Sequence, residues 1–247
     1  IVARVLAGRG VPADDVPDFL DPALKRLMPD PSVMADMDVA AARIADAVTA
    51  GESIAVFGDY DVDGASSSAL LTRYLRAAGG DAMIYIPDRI FEGYGPHPEA
   101  MGKLAAAGAK LVVCVDCGST SFEALEEGRR LGLDVVVLDH HQVGVELPPA
   151  MAVVNPNRQD DLSGLGHLAA VGVTFLAVVA VNRELRRRGA FASRKEPDLL
   201  QWLDLVALGT VCDVVPLAGL NRAFVTKGLK AMARRDNRGL AALADVA

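Results

Sequence analysis

Three carboxylates, Asp59, Asp61 and Asp63, stand at alternate positions in the stretch Ser-Ile-Ala-Val-Phe-Gly-Asp-Tyr-Asp-Val-Asp-Gly, residues 53–64. The apolar run Ile54 to Phe57 reads as a buried strand, and Gly58 ends it. After Gly64 the residues take up helical spacing. Three negative charges therefore crowd one turn between a strand and a helix. Their repulsion is costly unless a cation sits among them, and a hard divalent ion with oxygen ligands answers that need. Asp-x-Asp-x-Asp-Gly also opens a calcium EF-hand loop, which requires a preceding helix and a Glu at its twelfth position. Here a strand precedes and Leu70 is twelfth, so that reading fails.

More acids fall at similar places. Leu111 to Val115 reads as a strand that delivers Asp116, and Val135 to Leu138 as one that delivers Asp139, His140 and His141. Ala82 to Ile86 and Met151 to Val154 complete a set of five strands. Helices lie between them: one to about Ala78, one over Pro98 to Ala107, and one capped by Ser119 and running to Leu131. This alternation predicts an α/β fold: a five-stranded, mainly parallel sheet with helices on both faces, plus helical N- and C-terminal segments. In such sheets ligands sit beyond the carboxyl ends of the strands, so acids far apart in sequence converge on one edge. Past residue 156 the chain reads as helical, with helices over Ala169 to Leu185 and Leu199 to Cys212. The second is very apolar and ends at Asp213. An acid closing a buried helix has a desolvation problem unless it pairs or binds metal.

Asp59, Asp61, Asp63, Asp116, His140 and Asp213 are thus a candidate ligand set for two divalent ions. Carboxylates with an imidazole favour Mn²⁺ or Mg²⁺ over zinc. Two ions about 3.5–4 Å apart are the usual arrangement for phosphoester hydrolysis. His140 and His141 are neighbours and cannot easily serve the same ion, so one is expected on metal and the other on substrate.

The remaining features are bland. With 51% hydrophobic and 23% charged residues, the 247-residue chain is globular, and no stretch is apolar enough to span a membrane. Three cysteines are too few for a disulfide framework and fit a reducing, cytoplasmic setting. Cys114 and Cys117 form a Cys-x-x-Cys at a strand end, where residues three apart point to opposite faces, and no second pair lies near. Gly164-Leu-Gly166-His-Leu-Ala169 matches a dinucleotide fingerprint but follows no strand. His167 reads as a surface or packing residue, and Arg186-Arg-Arg188 as a solvated helix end. The net charge of -7 does not advertise nucleic-acid binding, although residues 221–247 are locally basic. The chain begins at Ile1, and its first residues read as mid-protein sequence, which predicts a piece of a longer chain.

Val-Leu-Asp139-His140-His141 resembles the motif that names the DHH phosphoesterase superfamily. Phe-Gly-Asp59-Tyr-Asp61-Val-Asp63-Gly64 is similar to its first motif, Val-Asp116-Cys-Gly-Ser to its second, and Ala-Leu-Gly-Thr-Val-Cys-Asp213-Val-Val-Pro-Leu to its fourth. The first motif is closest to the single-strand-specific exonucleases of that superfamily. Further similarities are Asp36-Met-Asp38, Ile86-Pro-Asp-Arg89, Glu92-Gly-Tyr-Gly95, Asn155-Pro156 and Val171-Gly172-Val173.

The resemblance implies a two-metal phosphodiesterase using Mn²⁺ or Mg²⁺. It would act as a 5′→3′ exonuclease on single-stranded DNA, release 5′-mononucleotides and serve repair and recombination. Asp116 would bridge the ions, with His140 and Asp213 on one of them. Asp139 would hold His140, His141 would contact the scissile phosphate, and Arg89 and Tyr94 would bind substrate. A monomer is implied, with single-strand-binding protein and a helicase as partners. The implied division is an N-terminal helical segment 1–50, a catalytic domain 51–220, and from 221–247 the start of a linker helix to a further domain. Two rivals share the fold. Small-substrate enzymes, acting on nanoRNA, cyclic dinucleotides or pyrophosphate, carry His where Phe57 stands, and replication scaffolds lose ligands that are all filled here.

Overall fold

The computed structural model describes residues 1–247. Its five strands are β1 (Ser53–Gly58), β2 (Asp81–Tyr85), β3 (Leu111–Val115), β4 (Asp134–Leu138) and β5 (Ala152–Val154). The helices preceding the sheet are α1 (Val2–Gly8), α2 (Val16–Leu20), α3 (Leu24–Leu27) and α4 (Met37–Ala50). Those interleaved with it are α5 (Val62–Ala78), α6 (Pro98–Ala106) and α7 (Phe122–Arg130). After it come α8 (Ala170–Arg187), α9 (Leu203–Cys212), α10 (Gly219–Met232) and α11 (Arg238–Val246). None is long and apolar enough to cross a membrane.

Every strand pair is parallel and the order is β2-β1-β3-β4-β5. The chain leaves β1 toward one side for β2 and returns to the other side for β3. The ends of β1 and β3 therefore flank the point where the winding reverses, the place where open α/β sheets bind ligands.

Alternation along the strands divides the core into two layers. Ile54, Val56, Leu111, Val113, Val136 and Leu138 face one side and pack with α4, α5, α8, α9 and α10. Ala55, Phe57, Val112, Cys114, Val135 and Val137 face the other and pack with α6 and α7. A sheet covered on both faces needs strands that are apolar throughout, which is why β3 reads Leu-Val-Val-Cys-Val with no polar position. Helix α4 contributes Met37 and Ile44 to the larger layer, and α10 contributes Leu220, Ala223 and Phe224. Both flanking segments thus share the core of the sheet. Helices α9 and α10 touch closely: a Cβ at Gly228 would stand 2.2 Å from the Leu203 carbonyl oxygen.

The strands fall where the sequence places them. The apolar segment after Asp198 differs from expectation, since it opens as a 3₁₀ turn, Leu199–Trp202, before α9 begins. Asp198 accepts the Leu200 N–H at 3.0 Å and holds that tighter turn. Cys114 and Cys117 lie in the same layer rather than on opposite faces, because β3 ends at Val115 and the chain turns before Cys117. Ser119 does not cap α7, which starts three residues later; Ser121 holds that position, without a side-chain bond.

Candidate metal centre

Asp61 caps α5, its Oδ1 accepting the Gly64 N–H at 2.8 Å. The turn is tight: a Cβ at Gly64 would stand 2.6 Å from the Asp59 carbonyl oxygen. Asp59 is buried and accepts the Tyr60 N–H at 2.7 Å. Asp63 is buried in the first turn of α5. Its two oxygens accept the N–H groups of Ala170 at 2.7 Å and Val171 at 2.9 Å, the first residues of α8. A carboxylate at a helix N-terminus is well placed electrostatically. Burial nevertheless pushes Asp63 up to about 6, against the pull of the Val171 N–H and His140.

Asp116 follows β3 in the left-handed region, at φ 61°. A residue with a Cβ pays about 1–2 kcal/mol for that conformation. Neither of its carboxylate oxygens accepts a hydrogen bond, although both are buried. Oδ1 lies 3.3 Å from His140 Nε2. Burial pushes Asp116 up to about 8 against the pull of His140, and the charges of Asp63 and Asp61 add to the rise.

His140 Nδ1 lies 3.0 Å from the Leu168 carbonyl oxygen, which can only accept, so the proton is on Nδ1 when the ring is neutral. Nε2 is then the atom that faces the acids, 3.3 Å from Asp116, 3.8 Å from Asp213 and 4.0 Å from Asp63. A histidine whose other nitrogen is fixed by a carbonyl is oriented as metal ligands are. Burial lowers the affinity of this ring for a second proton. Asp116, then Asp213 and Asp63, outweigh that and raise it to about 9.

Asp139, expected to hold His140, does so through the backbone N–H alone, and its bond to a ring goes to His141. Its Oδ1 accepts from His141 Nδ1 at 2.7 Å, and from the backbone N–H groups of His140 at 2.7 Å and His141 at 3.2 Å. Its Oδ2 accepts from Ser119 N at 3.2 Å. The physical reason is reach: the side chain folds over the start of its own turn, where His141 lies, while His140 points back to Leu168. Burial alone would raise the Asp139 carboxyl, but the bond from His141 and its charge hold it at about 2.

Asp213 ends α9, and its Oδ2 is buried without a hydrogen-bond partner. The next residue, Val214, also takes φ 61°, which is strained for a β-branched side chain. Burial and Asp61 push Asp213 up, with His140 acting against them.

Ligand atoms of Asp59, Asp61 and Asp116 lie within 4.8 Å of one another, and so do those of Asp63, His140 and Asp213. The six expected ligands therefore form two triplets. A third overlapping group, Asp116, His140 and His141, places Asp116 beside both. Buried polar atoms in folded proteins are nearly always partnered. Here three carboxylate oxygens, two on Asp116 and one on Asp213, are not. Divalent cations fit that set: they would give those oxygens partners and offset the charge that pushes the carboxyls up.

Tyr94 lies beside the centre, its ring edge-on to His141 with centroids 6.4 Å apart and to Tyr60 at 6.2 Å. Arg89 is one ring further out, 5.0 Å above Tyr60. His167 is half-buried away from the acids, and the two buried cysteines take no part in the triplets.

Several residues that shape the centre had no role in the sequence reading. Asn155, fully buried, donates from Nδ2 to the His141 carbonyl at 3.0 Å and to Ser119 Oγ at 2.9 Å. Asn157 donates to the His140 carbonyl. Both carbonyls of the His-His pair are thus held by the turn after β5. Asn155-Pro156 was the available signal, but nothing in it names the partner. Gly209 is a second case: a Cβ there would stand 2.8 Å from Asp63 Oδ1.

A parallel sheet with an acidic, histidine-bearing centre at its switch point defines the class. Residues 53–210 match the DHH family, N-terminal domain, and the chain belongs to that family. Within it, the chain is 45% identical over 197 residues to the single-stranded-DNA-specific exonuclease RecJ of Dickeya dadantii, covering 78% of this chain and 34% of that protein. It is 38% identical over 251 residues to RecJ of Escherichia coli, covering 100% of this chain and 43% of that one. A crystal structure of RecJ bound to manganese superposes with a TM-score of 0.76 at 36% identity, covering 89% of this chain and 53% of that one. RecJ of Thermus thermophilus in complex with Mn²⁺ gives the same score at 33% identity, covering 98% and 32%. The chain spans less than half the length of these curated relatives.

Proposed function

We propose that this chain is the catalytic core of a metal-dependent 5′→3′ exonuclease that hydrolyses single-stranded DNA to 5′-mononucleotides. The observation that supports it best is Asp116, whose buried, unpartnered oxygens belong to one triplet of potential ligands, with Oδ1 3.3 Å from His140 of the other. The RecJ relatives, named as single-stranded-DNA-specific exonucleases and in two crystal structures bound to manganese, supply the substrate and the metal. Asp59, Asp61 and Asp116 would hold one Mn²⁺ or Mg²⁺, and Asp63, His140 and Asp213 the other, with Asp116 shared. Ions bound there supply Lewis acidity and lower the pKa of water, making a nucleophile available near neutral pH.

The chain's own residues do the rest. Asp139 fixes His141 through Nδ1 and raises its affinity for a second proton, leaving Nε2 as the nitrogen available to a phosphoryl oxygen. A proton on Nε2 would donate to that oxygen and offset the charge that develops on it in the transition state. Arg89 and Tyr94 bind the strand beside it. The division into a helical segment 1–50, a catalytic domain 51–220 and a linker start 221–247 belongs to the same reading. So do a monomeric state, a cytoplasmic setting, roles in repair and recombination, and single-strand-binding protein and a helicase as partners.

The test is hydrolysis by the full-length protein with Mn²⁺. The expected result is release of the label as a mononucleotide, the first product from a 5′-labelled single strand, lost on chelation. Cleavage confined to cyclic dinucleotides or pyrophosphate would establish the small-substrate alternative instead. No cleavage of any of them would leave the scaffold reading.

A further inference from the structure

A cavity of about 570 Å³ opens beside the centre and shares Asp139 and His141 with it. It is far too large for an ion, and pockets of about 300–1,000 Å³ hold one small organic ligand. Two aromatic side chains stand in its lining, Tyr94 from the loop before α6 and Phe122 from the first position of α7. They are 56% and 41% exposed, so neither ring is consumed by the core. Tyr94 lies between Gly93 at φ 85° and Gly95 at φ 71°, backbone values that set the turn presenting it. No lysine or arginine lines the cavity, whereas Glu123 and Asp139 do. Its histidines, His97 and His141, are the only groups there able to carry positive charge, so the cavity offers a phosphate no permanent positive charge away from the edge it shares with the centre. A neutral planar group would be welcome, stacked on an aromatic wall and edged by the polar groups of Ser121 and Gln142.

We propose that this cavity seats the nucleobase of one nucleotide flanking the scissile phosphate, with Phe122 as a stacking wall. The proposal rests on the nuclease reading above. It makes Phe122 a substrate-binding residue and the cavity a one-nucleoside subsite opening onto His141. Stacking is tolerant of base identity, so the subsite grips any of the four bases and is blind only to a missing one.

The test compares wild type, Phe122→Ala and Phe122→Tyr in the full-length protein. The substrates are an intact single strand and two strands carrying an abasic residue at the first or second position. Phe122→Ala is expected to lower kcat/KM on the intact strand by about 10- to 100-fold, the range of one stacked base. Phe122→Tyr should restore it. One of the abasic strands should cost wild type a similar factor and cost Phe122→Ala nothing further. An alanine variant as fast as wild type on the intact strand overturns the subsite. A loss that persists undiminished on both abasic strands does so too. Failure of wild type to cut any strand would instead remove the nuclease reading, and the subsite with it.

Discussion

Asp139 Oδ1 lies 2.7 Å from His141 Nδ1, so the ring this carboxylate orients is that of His141 and not that of His140. The carboxylate fixes which nitrogen of His141 carries a proton toward it, and in the proposed mechanism the other nitrogen meets a phosphoryl oxygen. Asp139→Asn is therefore expected to slow single-turnover hydrolysis by on the order of 10²–10⁴-fold, the range seen when such an orienting acid loses its charge. Manganese affinity should change little, because His140 is oriented by Leu168. Calorimetry and quench-flow on the same variant check both. Loss of manganese equal to that in His140→Ala would refute this division of labour.

Asp116→Ala should weaken both metal sites together, since its oxygens border each triplet. The measurement is manganese titration by calorimetry. Wild type should take two ions, and the variant should show no site of undiminished affinity. One intact site would show that Asp116 serves a single ion.

Stability without metal should fall as pH rises. A carboxyl whose folded-state pKa lies above its unfolded value binds its proton more tightly when folded. Its contribution is present below the unfolded value and is lost as pH climbs through the folded one. Asp63 moves from 3.8 to about 6 and Asp116 from 3.8 to about 8, both chiefly through burial. His140 moves from 6.5 to about 9 as its acidic neighbours overcome burial, and its contribution is lost across that higher range. Asp139 runs the other way, but its window lies below 3.8. In chelator the contribution of Asp63 is gone by about pH 6, and loss of those of Asp116 and His140 should lower the melting temperature further between pH 6 and 9; Mn²⁺ should restore it with release of protons. A melting temperature in chelator that rises across that interval contradicts the assignment.

Gly209→Ala should damage the centre although Gly209 is no ligand. The added methyl would meet Asp63 Oδ1 and the Val171 side chain, both at 2.8 Å. Overpacking of this kind costs about 1–3 kcal/mol. The expected outcome is a lower urea midpoint and weaker binding of the ion held by Asp63, His140 and Asp213. Unchanged manganese binding would mean that Asp63 is free to shift without consequence.

The acids were legible in the sequence because each follows an apolar run. Strand ends in a parallel sheet share an edge, so Asp59 to Asp63, Asp116 and Asp139 to His141 could be gathered before any distance was known. Asp213 could be added because an acid ending a buried helix needs a partner. What could not be read is which neighbour each group chooses. Asp139 selects His141 by the path of one turn. Asn155 reaches the His141 carbonyl because β5 pairs beside β4, Leu138 opposite Val154. Gly209 matters only because α9 crosses close to α5, a contact between residues far apart in the chain. Ser119 looked like a helix cap because its type suits one, yet its hydroxyl accepts from Asn155.

The two triplets also differ in when they can exist. Asp59, Asp61 and Asp116 belong to β1, β3 and their following turns, whereas the other triplet waits for Asp213 at the end of α9. A nascent chain that has emerged only as far as β5 holds the first triplet and lacks the second. Asp63 at that stage has no α8 to grip, since the N–H groups it accepts belong to Ala170 and Val171. The full set of six candidate ligands therefore comes together only once α9 has been made, and a product ending before α9 lacks Asp213 altogether.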